Sequence, residues 1–320
     1  MSENVLLTGG CGFIGSALVR ELEEKKYNVI VLDNFIAGKP EHLDGTNAII
    51  IEGDINNRGL LNHILKSYNV KYCYHLAAEP YIPKGYQHPT KMFKVNTMGT
   101  LNVLLACGKA KVEKIVHYST SEVYGTAKYL PMDERHPTLP HSMYAVAKLA
   151  GDRLCWILWK ERKVPVIILR QFNCFGPREA QPYIIPEIIS QFSRNDNLKL
   201  GNIYAKRDFT YVHDAAKGAI KLMETSGTEG MTINLGRGMY WSVKQIAETI
   251  AKVMNKKDFQ IECEQKRMRP FDVDELLCDV SLFNSTVGKI GYVPFEEGIK
   301  LTVDWYNEHG RKWSWENEGS

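Results

Sequence analysis

Between the apolar run Val5–Leu7 and an amphipathic stretch over Ala17–Lys26, glycines recur at a spacing of three: Gly9, Gly12 and Gly15. Strand, glycine turn and helix in that order commit the start of the chain to a βα unit. Gly9 permits a tight turn, Gly12 lets the backbone approach a pyrophosphate, and Gly15 permits close packing of helix on strand. The unpaired N–H groups at the helix start, around Phe13 and Ile14, then face a phosphate. Glycines so spaced also occur in ordinary βα turns, and Asp33 narrows the choice. It ends the second apolar run, Asn28–Leu32, roughly 20 residues beyond the glycines, where a carboxylate binds ribose hydroxyls. An acid at 33 repels the extra phosphate of NADP, and Asn34-Phe35-Ile36 supplies no arginine to bind it. NAD is the expected cofactor.

The alternation continues. Ala48–Glu52, Cys73–Leu76, Lys114–Tyr118 and Val166–Arg170 read as buried strands, separated by helical segments at Arg58–Tyr68, Met92–Lys109 and Ser142–Arg162. Repeated β-α-β order predicts an α/β fold: a Rossmann-type doubly wound parallel sheet. From 176 onward Pro177, Pro182 and Pro186 interrupt the spacing. Short strands (Thr232–Leu235, Phe259–Cys263) and helices (Val243–Val253, Phe295–His309) follow. The expected division is an NAD-binding domain carrying the catalytic residues over 1–175. A smaller C-terminal substrate-binding lobe covers 176–320, with some segments returning to the first domain.

With 320 residues, 44% of them hydrophobic, the chain can bury a full core. A net charge of +3 is too mild to argue for nucleic acid. The seven cysteines contain no CxxC pair, which suits a reducing compartment. No apolar stretch reaches the roughly 20 residues that span a bilayer, and the first apolar run leads into Thr8 and the glycines rather than a cleavage site. A cytoplasmic location without a membrane is expected. His75 and His117 stand apart from any ligand cluster, so no metal is expected.

The chain resembles the extended short-chain dehydrogenase/reductases, the NAD-dependent sugar-nucleotide epimerases and dehydratases. The resemblance rests on Thr8–Gly15, Asp33-Asn34, Gly53-Asp54-Ile55, His75-Leu76-Ala77-Ala78, Asn96, Tyr144-Ala145-Val146-Ala147-Lys148 and Arg207–Val212. It implies that Asp54 and Ile55 hold the adenine and that Leu76, Ala77 and Ala78 run beneath the cofactor. Asn34 and Asn96 join the cofactor set. Asn173 is implied to touch the sugar or its diphosphate, Arg207 and Arg269 the diphosphate, and Asp272 the nucleotide ribose. The segment from Glu79 to Lys84 departs from the usual pattern and is expected to line the sugar pocket. Relatives often dimerise through the helices at Met92–Lys109 and Ser142–Arg162, so a homodimer is expected.

Tyr144 and Lys148 stand four apart on a helical segment and so share a face. A free tyrosine, with a pKa of about 10, is a poor base at neutral pH. A lysine cation and an oxidised nicotinamide both favour the phenolate. Ser119-Thr120-Ser121-Glu122 directly follows the strand Lys114–Tyr118, at the carboxyl end where open α/β sheets place their sites. Thr120 can bind the substrate's 4-hydroxyl, and Glu122 is a plausible base for the C5 proton of a 4-keto sugar. Among resembling proteins, 4-epimerases usually carry a small or apolar residue at 122, whereas 4,6-dehydratases carry glutamate. Ser121 occupies the position of an aspartic acid in many dehydratases and is a weak acid, so Glu122 would both remove H5 and deliver a proton to O6. The expected activity is a nucleotide-sugar 4,6-dehydratase, with UDP-N-acetylglucosamine favoured. A 4-epimerase, a uronate decarboxylase and a non-catalytic NAD-sensing scaffold remain alternatives.

Overall fold

The computed structural model describes residues 2–179, 181–267 and 274–309. The first half lays down β1 (Asn4–Thr8), β2 (Asn28–Asp33), β3 (Ile49–Glu52), β4 (Tyr72–His75), β5 (Lys114–Thr120) and β6 (Val166–Gln171). After β7 (Asn173–Phe175), β8 (Asn197–Leu200) and β9 (Lys206–Tyr211), β10 (Thr232–Leu235) returns to pair with β6. The seven-stranded sheet runs β10-β6-β5-β4-β1-β2-β3, with every neighbouring pair parallel. This is the doubly wound sheet expected from the β-α-β alternation. Strand order reverses at β1, which lies between β2 and β4, and that reversal opens a crevice beyond their carboxyl ends.

Parallel strands buried on both faces need apolar residues on both, and Val5, Leu6 and Leu7 of β1 are all fully covered. One face packs on the helices Phe13–Glu24 and Val212–Glu224, the other on Arg58–Ser67, Thr100–Ala110 and Met143–Arg162. The second lobe centres on β9, flanked by β11 (Tyr240–Ser242) and β13 (Glu275–Leu276) and paired also with β7. Beside it β12 (Gln260–Cys263) pairs with β8. Helices Ile184–Arg194, Val243–Val253 and Phe295–His309 close that core around Phe175, Phe192 and Tyr211.

Two local features set up the site. The helix Met143–Arg162 starts where Ser142 Oγ accepts the Ala145 N–H at 3.1 Å, placing Tyr144 in its first turn. The helical segment expected over Met92–Lys109 is interrupted: Pro89–Phe93 and Thr100–Ala110 are α-helical, and Lys94–Gly99 between them is a π turn. A Cβ on Gly99 would lie 2.3 Å from Ile55 Cδ1, so the bare glycine lets this widened turn press against the loop after β3. Among the described residues, no helix is long and apolar enough to cross a membrane.

Candidate active site

A cavity of about 570 Å³ occupies the crevice and continues beneath the second lobe. Gly9, Gly12, Phe13, Ile14, Gly15, Asp33, Asn34, Asp54, Ile55, Leu76, Ala77 and Ala78 all line it. Gly9 has φ +76°, and a Cβ there would meet Ala77 N at 2.7 Å. A Cβ on Gly15 would lie 2.3 Å from Gly9 O, so the third glycine is demanded by the turn itself more than by the strand behind it. Asp33 also holds that turn: Oδ2 accepts the Cys11 N–H at 3.0 Å and Oδ1 the Phe35 N–H at 2.9 Å. Burial raises its pKa above the usual carboxylate value, with those N–H groups opposing. For Asp54 burial acts upward too, but hydrogen bonds from Asn56 and Asn34 outweigh it and hold the carboxyl low.

Asn96, grouped with the cofactor residues on resemblance, does not line the cavity. Buried in the π turn, it accepts the Glu79 N–H at 2.8 Å and donates Nδ2–H to Glu79 O at 3.1 Å. Its two bonds clamp the loop that carries Ala77, Ala78 and Glu79. Behind that clamp a chain of contacts runs through Thr100 and His75 to Thr8 on β1. Burial and the Lys148 cation push the His75 imidazole down to about 3, so it stays neutral inside this chain.

The chemistry-bearing residues meet at the end of β5. Thr120 Oγ1 accepts the Glu122 N–H at 3.2 Å and caps the 3-10 turn Ser121–Tyr124. Thr120 and Glu122 both lie close enough to the Tyr144 hydroxyl to act on its proton, Thr120 favouring its release and Glu122 opposing it. Thr120, Glu122, Tyr144 and Lys148 line the cavity, whereas Ser121, 3% exposed, points away from it. The 3-10 turn changes the direction of successive side chains, so Ser121 does not share the face of its neighbours. Tyr144 departs from expectation in another way. Burial, then the Glu122 carboxylate, raise its pKa above the ordinary tyrosine value, and Thr120 only partly opposes them. The Lys148 ammonium donates to Tyr118 O at 2.5 Å instead of dominating the phenol.

Lys148 itself is pulled down to about 8 by burial, with Asp152 one turn later working to keep it charged. The ammonium is the form present below that pKa, so its charge is lost as pH rises through it. A kcat/KM profile recorded from pH 6 to 10 is expected to fall on its alkaline side with an apparent pKa near 8. A flat profile across that range would remove Lys148 from any charge-dependent role.

Glu79, Asn173 and Arg207 line the cavity towards the second lobe. Arg207 anchors through Nη1 on the carbonyls of Lys206 and Asp274, at 2.9 and 3.3 Å. Arg269 and Asp272 lie outside the described residues. Arg267 does line the cavity, held by Glu187 and Glu264 at 3.0 and 2.9 Å. Arg178, Glu179, Gln171 and Tyr118 also face the cavity and were given no role from sequence. Buried side-chain oxygens without a hydrogen-bond partner among the described residues gather on its wall: Glu79 Oε1, Tyr118 OH, Gln171 Oε1, Asn173 Oδ1 and Glu179 Oε2. Unpaired buried polar atoms are costly, so their clustering marks where a polar ligand belongs. A glycine turn at a helix start, a carboxylate ending β2 and this polar wall fit a dinucleotide.

A family model described as GDP-mannose 4,6 dehydratase matches residues 6–302. The chain belongs to this family. Three similar proteins illustrate the range of activities around it. A UDP-N-acetyl-alpha-D-glucosaminuronate decarboxylase from Bacillus cytotoxicus is 31% identical over 96% of this chain and 99% of its own length. The structure of UDP-N-acetylglucosamine 4-epimerase from Methanobrevibacter ruminantium, in complex with UDP-N-acetylmuramic acid, is 31% identical with a TM-score of 0.89, covering 97% of this chain and 100% of that one. DesIV, a dTDP-glucose 4,6-dehydratase from Streptomyces venezuelae solved with NAD and TYD bound, is 27% identical with a TM-score of 0.87, covering 95% and 97%. Family and cavity together make this chain an NAD-dependent enzyme of the sugar-nucleotide dehydratase and epimerase class.

Proposed function

We propose that this chain is a nucleotide-sugar 4,6-dehydratase, with UDP-N-acetylglucosamine as its favoured substrate. Glu122 carries the proposal: it is a carboxylate on the cavity wall, two residues beyond Thr120 and electrostatically coupled to Tyr144. The glycine turn with Asp33 and Asp54 would hold NAD, which would supply the hydride acceptor for C4 and the hydride donor for C6. Thr120 binds the 4-hydroxyl and Tyr144 takes its proton, with Lys148 providing positive charge beside the ribose. The 4-ketone so formed acidifies the C5 proton, which Glu122 removes. The C6–O bond then breaks, and the same carboxyl gives its proton to the departing hydroxyl, which leaves as water. C5 takes a proton from solvent as C6 is reduced, matched by the O4 proton that Tyr144 releases, and the product is a 4-keto-6-deoxy sugar nucleotide. In this reading Asn173 and Arg207 hold the substrate's diphosphate. The UDP-N-acetyl sugars named for the Bacillus and Methanobrevibacter proteins support the substrate.

Mass spectrometry after incubation with a panel of UDP-, GDP- and dTDP-sugars tests this reading. Loss of water is the expected result. A product of unchanged mass would replace it by epimerisation, and loss of carbon dioxide from a uronate by decarboxylation. Turnover of no panel member would favour the sensing scaffold. The epimerase is the second reading, because an epimerase needs the same Thr120, Tyr144 and Lys148 and the Methanobrevibacter fold is so similar.

The exposed apolar side chains Val146, Trp156 and Ile157 on helix Met143–Arg162, with Met98 on the neighbouring π turn, support a homodimer through this face. Light scattering is expected to give twice the chain mass, and the monomer mass would refute it. The seven cysteines, all free, support a cytoplasmic location.

A further inference from the structure

Arg178 is an unusual residue in this cavity wall. Its backbone is left-handed, with φ +72°, in the turn that follows Pro177. Its guanidinium lies 5.7 Å from the ring centroid of Trp305, on the helix Phe295–His309. Among the described residues it has neither a hydrogen bond nor an ion pair. Burial and the neighbouring Arg20 cation pull its pKa down to about 10. Arg20 is already engaged by the carbonyls of Ser16, His42 and Asp44, so it relieves nothing. A half-buried cation beside a second cation, with no anion, is an incomplete site.

Its neighbours say which part of the cavity it serves. Arg178 acts electrostatically on His42, whose Nδ1 lies 2.9 Å from Cys11 O in the glycine turn. The His42 and Trp305 rings meet edge to face at 6.5 Å. Glycine turn, His42, Trp305 and Arg178 therefore form one contiguous group, and the guanidinium comes to the glycine-turn side of the cavity from the chain beyond β7. Arg207 and Arg267 lie on the second lobe's side. A planar guanidinium suits the oxygens of a diphosphate.

We propose that Arg178 completes the diphosphate site of the cofactor, with Trp305 fixing its position, so that NAD affinity depends on the helix Phe295–His309 of the second lobe. The inference rests on the NAD reading, and two diphosphates, the cofactor's and the substrate's, share the relevant chemistry. Calorimetric titration separates them. NAD, ADP-ribose and adenosine are titrated into wild type, Arg178→Gly and Arg178→Lys, and UDP into the NAD-loaded proteins. Arg178→Gly is expected to bind NAD and ADP-ribose about tenfold to a hundredfold more weakly, the loss of one charge-assisted contact. Adenosine and UDP should bind as before, and Arg178→Lys should fall between. Because glycine accepts the left-handed backbone freely, the ligand-free glycine variant should melt no earlier than wild type. Unchanged NAD affinity overturns the proposal, whether or not the melting temperature drops. Weakened UDP with intact NAD binding would assign the cation to the substrate instead. A wild type that binds neither NAD nor ADP-ribose would defeat the NAD reading itself, and the role of Arg178 with it.

Discussion

Tyr144→Phe is expected to lower kcat by about a thousandfold or more, the upper part of the range for losing a positioned acid–base group. The variant removes one oxygen and keeps the ring, which sits in the first turn of the helix Met143–Arg162. NAD content and melting temperature should therefore stay close to wild type. The size of the loss follows from the surroundings of the hydroxyl. Burial and the Glu122 carboxylate hold its proton on, with Thr120 opposing them in part. A phenol so placed gives up its proton only when the charge at the reacting centre favours it, so the hydroxyl is matched to the moment of hydride transfer and its loss is costly. Thr120, a hydroxyl, can orient O4 but cannot accept its proton at neutral pH. Steady-state kinetics with denatured-protein NAD quantitation checks this. A variant that keeps a tenth of the wild-type rate with normal NAD content would place the acid–base group elsewhere.

Much of this arrangement is legible in the chain because it depends on local order. The sheet is periodic, and short β-branched runs separated by amphipathic stretches specify its strands to within a few residues. The glycine turn and Asp33 read directly because each serves a backbone geometry that few other residues satisfy. What escapes the sequence depends on contacts between distant segments. The position of Asn96 suggests a cofactor contact, yet the π turn directs it to the backbone of Glu79, 17 residues earlier. Ser121 looks equivalent to its neighbours until the 3-10 turn buries it. Arg178 was given no role from sequence, and neither its left-handed backbone nor its place beside the Trp305 ring can be inferred from spacing. Tyr144 shows the same limit in its electrostatics. The four-residue offset predicts that Lys148 lowers the phenol's pKa, whereas tertiary packing sends the ammonium to Tyr118 O and sets a carboxylate against the phenol.

That carboxylate makes Glu122→Gln the most discriminating substitution. Glutamine keeps the size and the main-chain bond to Thr120 but cannot accept the C5 proton or return one to O6. Water loss should fall by about a thousandfold or more. Oxidation at C4 should survive, seen in a single turnover as the absorbance of reduced nicotinamide appearing without product. The charge change even favours that first step. Glu122 is second only to burial in raising the pKa of Tyr144, so an amide there lets the phenol release its proton more readily. The expected variant is thus an enzyme that performs the first half of the reaction, at an undiminished or greater rate, and stalls at the 4-ketone. Wild-type water loss would take Glu122 out of the mechanism. Loss of both steps would move it to O4, where an epimerase and a dehydratase could no longer be told apart by this residue.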